Sequence, residues 1–276
     1  MIKKIFLLTL LLCSPVLGQW QDGLKPMMGQ QIDWSNPLSK GLVGYWLMNE
    51  GTGNIVQDLS GNGNDGTFGV GAASPSWIAG NHGSAINFDG GDTCEITEKS
   101  NVLAITNALT IIANVKFNNT SAYDSVINRY DAGGGYGIYY SSQPRLRFVV
   151  RDGDSNYDDC LISGQPVTGE WMQIAGVFDG ANSYIYKNAI LGDTQVGTAL
   201  SNTSTDTLSI GTGFYGDSFV DIDHVMIWNR ALSAGEIADL YRNPFGIIQP
   251  TFSVWWYSGI GGEPPATFGQ VIMISN

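Results

Sequence analysis

The chain is poor in positive charge: 13 Lys and Arg stand against 25 Asp and Glu in 276 residues, for a net charge of −12. Nucleic acid is thereby excluded as a partner class, because phosphate binding needs clustered Lys or Arg. Arg145, Arg147 and Arg151 align at spacings of two and four, the pattern of a solvated strand face rather than a basic patch. Histidine is scarcer still. His82 and His224 are alone and lack the CxxC or HxxxH company that zinc sites use, and no Gly-x-Ser-x-Gly elbow accompanies them, which argues against nucleophilic hydrolysis. Stretches rich in Ala, Glu and Lys are also missing, whereas Gly reaches 36 residues amid many Thr, Ser and Asn. That composition belongs to short strands joined by turns, with little helix. No internal repeat is present, which excludes a solenoid.

What is present begins with a leader-like segment. Residues 1–18 combine Lys3 and Lys4, an apolar run over 5–12 and the small-residue end Val16-Leu17-Gly18, and are read as a secretory signal. The run is too short to span a bilayer, and no later segment is long enough, so no integral span is expected after cleavage. Cys13 raises a lipidated alternative, but Leu12 stands where a small residue normally precedes such a Cys. The expected location is secreted, or extracellular at the cell surface. There an oxidising compartment permits Cys94 and Cys160 to pair, although sequence does not show that they are near each other.

Residues 19–40 carry Pro26 and Pro37 without periodicity and read as an N-terminal arm or linker. A domain is expected over 41–243. An aromatic, Gly- and Pro-rich tail follows over 244–276, with Trp255, Trp256 and an apolar strand at 271–274; a protein partner bound through this tail is one option. Strand signals recur through the domain. Leu109, Ile111, Ala113, Val115 and Phe117 alternate with Thr110, Asn114 and Lys116, which predicts a half-buried antiparallel strand. The stretch 171–178 is apolar on both faces and is expected between layers. Nine or more such strands predict an all-β, two-sheet antiparallel sandwich. One short helix closes the domain: Ser233 and Glu236 form a capping box, Ile237, Leu240 and Tyr241 an apolar stripe, and Asn243-Pro244 a stop.

The loop 58–66 sets side-chain oxygens among glycines, as a hard cation requires. Asp58, Ser60, Asn62 and Gly63 even match the opening of an EF-hand loop. The match then fails at position twelve, which is Gly69, and the flanks show no helical period. A calcium ion here would sit in a β framework. The competing reading is that Asp58 opens an Asx-turn and the glycines supply positive φ.

Taken in order, several segments resemble the LamG-like jelly-roll domains of the concanavalin A-like lectin and glucanase superfamily. They are Gly44-Tyr45-Trp46, Asn49-Glu50-Gly51-Thr52-Gly53, the 58–64 loop, Ala85-Ile86-Asn87-Phe88-Asp89-Gly90, Gly169-Glu170-Trp171 and the stretch 222–233. The likeness covers about 41–241 and includes features of bacterial and phage-associated members. It implies a jelly roll, often with one structural calcium near the sandwich edge, in modules that serve adhesion, recognition or carbohydrate binding. Two departures stand out: Asp223-His224 replaces the usual Asp-Glu, and Asn188-Ala189 replaces Asn-Gly or Asp-Gly, which suggests an altered hairpin turn.

The calcium ligands expected on this basis are Asp58 and Asp223, backbone oxygens around Asn62 and Asn64, and Glu50. The expected partner is a polysaccharide or cell-surface glycan. Its candidate site comprises Tyr136, Tyr139 and Tyr140 on one strand, Arg145 and Arg147 on the next, and Tyr157 beside Asn156, because aromatic faces and hydrogen-bonding side chains hold sugars. Catalysis is not expected. Asp221 and Asp223 share a strand face, but Val225 and Met226 stand where a glucanase motif continues to its Glu. The reading is therefore an exported, non-catalytic, carbohydrate-binding module. The alternatives are a structural or adhesive protein that binds another protein, and a degenerate glycoside hydrolase.

Overall fold

The computed structural model describes residues 24–249, apart from 100, 120–122, 132–133, 142, 144, 153–156, 165, 198–199, 201–206 and 213–217. The leader, Asn156, the tail tryptophans and the side chain of Tyr157 lie outside the described residues. In chain order the strands are β1 (Leu42–Trp46), β2 (Ile55–Val56), β3 (Gly66–Phe68), β4 (Ser76–Ala79), β5 (Ser84–Asp89), β6 (Cys94–Ile96), β7 (Leu109–Phe117) and β8 (Asp124–Asp131). There follow β9 (Gly134–Ser141), β10 (Arg145–Arg151), β11 (Tyr157–Ser163), β12 (Trp171–Phe178), β13 (Asn182–Lys187), β14 (Ile190–Val196), β15 (Ser209–Ile210), β16 (Phe219–Trp228) and the helix α1 (Ala234–Arg242).

They form two antiparallel sheets, ordered β14-β13-β12-β7-β16-β5-β4 with β1 also on β16, and β11-β10-β9-β8-β15-β6-β3-β2. The inward residues of β7 and β16 (Ile111, Val115, Ile222, Ile227) share one core with Ile138, Tyr140, Phe148 and Val150 of the second sheet. Each such side chain contributes about 1.5–3 kcal/mol by leaving water. The sheets approach closely where β12 crosses β10: a Cβ on Gly176 would lie 2.2 Å from the Phe148 ring, so only glycine fits.

The first sheet is covered on its outer face as well. Ile32, Tyr45, Ile112, Val177, Met226, Trp228, Ile237, Leu240, Phe245 and Ile248 make a second core there. The strand β7 is accordingly buried on both faces rather than half-buried, with Thr110 and Ile112 fully covered. The covering layer includes α1 and segments outside the expected 41–243 limits. Ile32 bridges to Ile248, and Trp228 Nε1 donates to the Leu38 carbonyl at 2.8 Å. In α1 the capping box forms as expected, and Ile237 and Leu240 are buried. Tyr241 is 43% exposed instead, because it lies about 100° round the helix from Leu240, on the rim of the stripe.

Two other expectations need correction. The Lys187↔Ile190 pair closes a two-residue loop in which Asn188 and Ala189 have φ of 51° and 61°. The primed hairpin turn is therefore kept, with Ala189 holding a conformation that normally selects glycine. The cysteines are not joined. Cys94 on β6 and Cys160 on β11 are five strand positions apart in the second sheet, roughly 24 Å at the usual strand spacing, far beyond the span of a disulfide. Cys160 Sγ instead donates to the Ser183 carbonyl at 2.9 Å.

Candidate functional site

The 58–66 loop is organised by Asp58. Its Oδ1 accepts the backbone N–H groups of Tyr45 (3.1 Å) and Ser60 (2.9 Å), and its Oδ2 accepts Ser60 Oγ (2.8 Å) and the Asn64 N–H (3.0 Å). A carboxylate with four donors has its lone-pair sites filled. The neighbours are committed too. Asn62 Nδ2 donates to the Val43 carbonyl at 3.0 Å, the Asn64 carbonyl accepts Trp46 Nε1 at 2.8 Å, Asn64 Oδ1 accepts the Lys99 N–H at 3.0 Å, and Glu50 Oε1 accepts the Gln57 N–H at 2.9 Å. These residues tie the end of β1 to the start of β3 in the pattern of an Asx-turn, while the buried Glu50 Oε2 has no hydrogen-bond partner among the described residues.

Asp223 lies elsewhere in the fold. Along one side of β16, β5 pairs with residues 219–222 and β1 with 225–228, and the register shifts between Ile222 and His224. Asp223 therefore faces the gap between two strands. Lys25, from the arm, fills that gap. Its Nζ donates to the carbonyls of Asp223 (2.5 Å), Met48 (3.2 Å) and Ser84, and it lies 3.4 Å from Asp223 Oδ1. The same Oδ1 meets His224 Nδ1 at 2.8 Å and His82 Nδ1 at 3.2 Å, while Oδ2 accepts the His82 N–H at 3.1 Å. Gly80 makes room: a Cβ there would stand 2.7 Å from Oδ2. Phe245 packs against both imidazoles, with ring centroids 5.3 and 5.7 Å away.

Burial works against charge throughout this cluster. It pulls Lys25 down to about 8 despite the Asp223 charge, and it lowers His224, keeping that imidazole neutral. On Asp223 burial is outweighed by hydrogen bonds from His224 and His82 and by the Lys25 charge, which hold the carboxyl well below the usual range. With its Nδ1 facing a carboxylate, His224 carries its proton there, and its buried Nε2 has no hydrogen-bond partner among the described residues. His82, Asp223 and His224 place three ligand atoms within 4.8 Å of one another, so the structure joins Asp223 to these imidazoles and Lys25 rather than to Asp58. Sequence reasoning missed Lys25, His82 and His224; the signal was His224 itself, standing where the resemblance expects Glu.

The glycan candidates divide by face. Tyr136 and Tyr140 point inward with Ile138, and Tyr136 Oη donates to the Leu103 carbonyl at 2.8 Å, so Tyr136 belongs to the core. Tyr139 points outward, opposite Arg147 and Ser125. The Arg147 guanidinium lies over its ring, 5.3 Å from the centroid, and Nε donates to Asp159 Oδ1 at 2.8 Å. Arg145 is two residues along the same face, and Arg151 pairs with Gly135 and Tyr157. The outward positions of β9 are thus Gly135, Gly137, Tyr139 and Ser141, but all four are buried, Tyr139 packing with Val149 and Tyr123, so the polar groups of this face that reach solvent are the half-buried Arg145, Arg147 and Asp159. Asp159 was missed, hidden within the acidic 158–159 pair.

The carboxylates of β16 are not placed as a glycosidase pair. Asp221 Oδ1 accepts Asn87 Nδ2 and Asn118 Nδ2, each at 2.6 Å, and Oδ2 pairs with Lys116 at 2.6 Å. Like Asp223 it is buried and neutralised by a lysine. No helix among the described residues is long and apolar enough to cross a membrane.

The chain belongs to the concanavalin A-like lectin/glucanases superfamily, whose Laminin_G_3 model matches residues 88–238. No curated protein matches it in sequence. Among solved structures it is similar to the binding domain of Paraclostridial Mosquitocidal Protein 1, with 16% identity, 76% of this chain and 53% of that one covered, and a TM-score of 0.62. It is also similar to botulinum neurotoxin type C, whose cell entry depends upon interaction with two ganglioside molecules (14% identity, 74% and 51% covered, TM-score 0.59). A third is domain 4 of AbnA, an extracellular arabinanase from Geobacillus stearothermophilus, in complex with arabinotriose (16% identity, 72% and 98% covered, TM-score 0.60). The chain spans about half the length of the two solved toxin chains, and at these identities the likeness is one of fold.

Proposed function

We propose that this chain is an exported, non-catalytic recognition module that binds carbohydrate on the outer face of its second sheet. The observation that carries the reading is the half-buried array of Arg145, Arg147 and Asp159, with the Arg147 guanidinium set over the buried Tyr139 ring. It combines fixed guanidinium donors and a carboxylate on a rigid sheet, groups that hydrogen-bond a hydroxyl-rich ligand. Three likenesses lend support: the superfamily, a neighbour solved with arabinotriose and a toxin that engages gangliosides. Both β16 carboxylates are buried and lysine-paired, which supports the absence of acid–base chemistry there.

An oligosaccharide array that includes arabinotriose and ganglioside headgroups tests the reading. Saturable binding by the intact protein, lost in Arg147→Ala at unchanged melting temperature, is the expected result. No binding by the intact protein, or equal binding by the variant, would overturn it and favour a protein partner.

A further inference from the structure

We infer that the gap between β1, β5 and β16 is a latent cation site, and that Lys25 serves there as a tethered cation in place of a divalent ion. Because β5 stops and β1 begins alongside β16, the ladder is interrupted at Asp223. The carbonyls of Met48, Ser84 and Asp223 meet at that interruption and all face Lys25 Nζ. Buried carbonyls without partners are costly. An ammonium has three N–H donors, and three carbonyls receive them. The charge is balanced by Asp223 Oδ1 at 3.4 Å, and the two side chains are only 4% and 0% exposed.

A cluster of hard oxygens, three of them backbone carbonyls, is the donor set of calcium rather than of an ordinary ion pair, in which carboxylates predominate. Calcium requires six to eight oxygens, and the space is already filled by the lysine. The residues present therefore do not fit a bound calcium while Lys25 is in place. Lys25 is held on either side: its N–H donates to the His82 carbonyl at 2.7 Å, and the Pro26 carbonyl accepts Asn49 Nδ2 at 2.9 Å. The arm thus enters the sheet as a structural plug. Removing its side chain would leave four oxygens around a void that water and a divalent ion can complete, with Glu50 close enough for its charge to act on the site.

Thermal melting in chelator and in millimolar calcium chloride provides the test, on the intact protein, Lys25→Ala and Lys25→Met. The intact protein is expected to melt at the same temperature in both media. Lys25→Ala should fall in chelator by roughly 6–20 °C and recover in calcium, with a calcium-dependent gain in terbium luminescence on exchange. Lys25→Met, whose stem still fills the gap, should fall without recovering. A chelator-sensitive intact protein would overturn the inference, as would a Lys25→Ala variant that melts normally in chelator or ignores calcium. Should Lys25→Ala fail to fold without metal, refolding in calcium supports the inference, and failure in both media while Lys25→Met folds overturns it.

Discussion

Replacing Asp223 by Ala is expected to cost about 3–5 kcal/mol, the range for removing one partner of a buried ion pair. The structure shows why the loss falls near the upper end of single substitutions. One carboxylate serves the Lys25 ammonium, both imidazoles and the His82 N–H, so its removal strands a buried charge and deprives three donors of their acceptor. For a domain of this size the cost corresponds to a fall in Tm of roughly 6–20 °C, and urea unfolding with an unchanged m-value would measure it directly. The pH dependence gives a second readout. The Asp223 carboxyl titrates far lower folded than unfolded, so its stabilisation is present above the unfolded value and lost as pH falls through the acid range. His224 is depressed by burial. The unfolded chain therefore takes up its proton first, and stability begins to fall below pH ~6.5. Asp223→Ala should lack the steepest acid loss, below pH ~4. A cost under about 1 kcal/mol, or an acid limb parallel to that of the intact protein, would refute the reasoning.

Asp124 should show the opposite sign. Burial raises its carboxyl to about 6, so the native state holds the proton more tightly and stability is lost as pH rises through that value, by at most about 3 kcal/mol. Asp124→Asn keeps an acceptor for the Phe219 N–H and should be more stable than the parent at pH 8 but not at pH 4; an equal difference at both would contradict the assignment. Ala189→Gly should raise stability by about 0.5–1 kcal/mol, because φ of 61° at this hairpin position suits glycine, and an unchanged or lower urea midpoint would show that the turn is not strained.

Much of the fold was readable because periodicity is local. Residues 109–117 announce an inward face, and Ser233 with Glu236 announces a helix start, since alternation and capping depend on neighbours in the chain. The outer layer on the first sheet was not readable: Ile32, Leu38 and Ile248 lie in segments without period, and only the folded sheet gives them a surface. The sites divide in the same way. Strand parity separates Tyr139 from Tyr136 once Ile138 is known to face inward. The oxygen-rich 58–66 loop, by contrast, has the same composition whether or not it caps its own N–H groups, and only the placement of Tyr45 and Asn64 shows that Asp58 does so. Lys25 meets Asp223 across 198 positions, a contact that no local pattern encodes, although His224 in an unexpected place marked the right strand.

The claim that carries the functional reading is that ligand meets the outer face of the second sheet. Backbone chemical-shift mapping during titration with the strongest oligosaccharide from the array tests it most directly. Perturbed amides should cluster on β9, β10 and β11 around Tyr139, Arg147 and Asp159, and Arg147→Ala should abolish them. Shifts confined to β14, to the Lys25 plug or to the 58–66 loop would contradict the account.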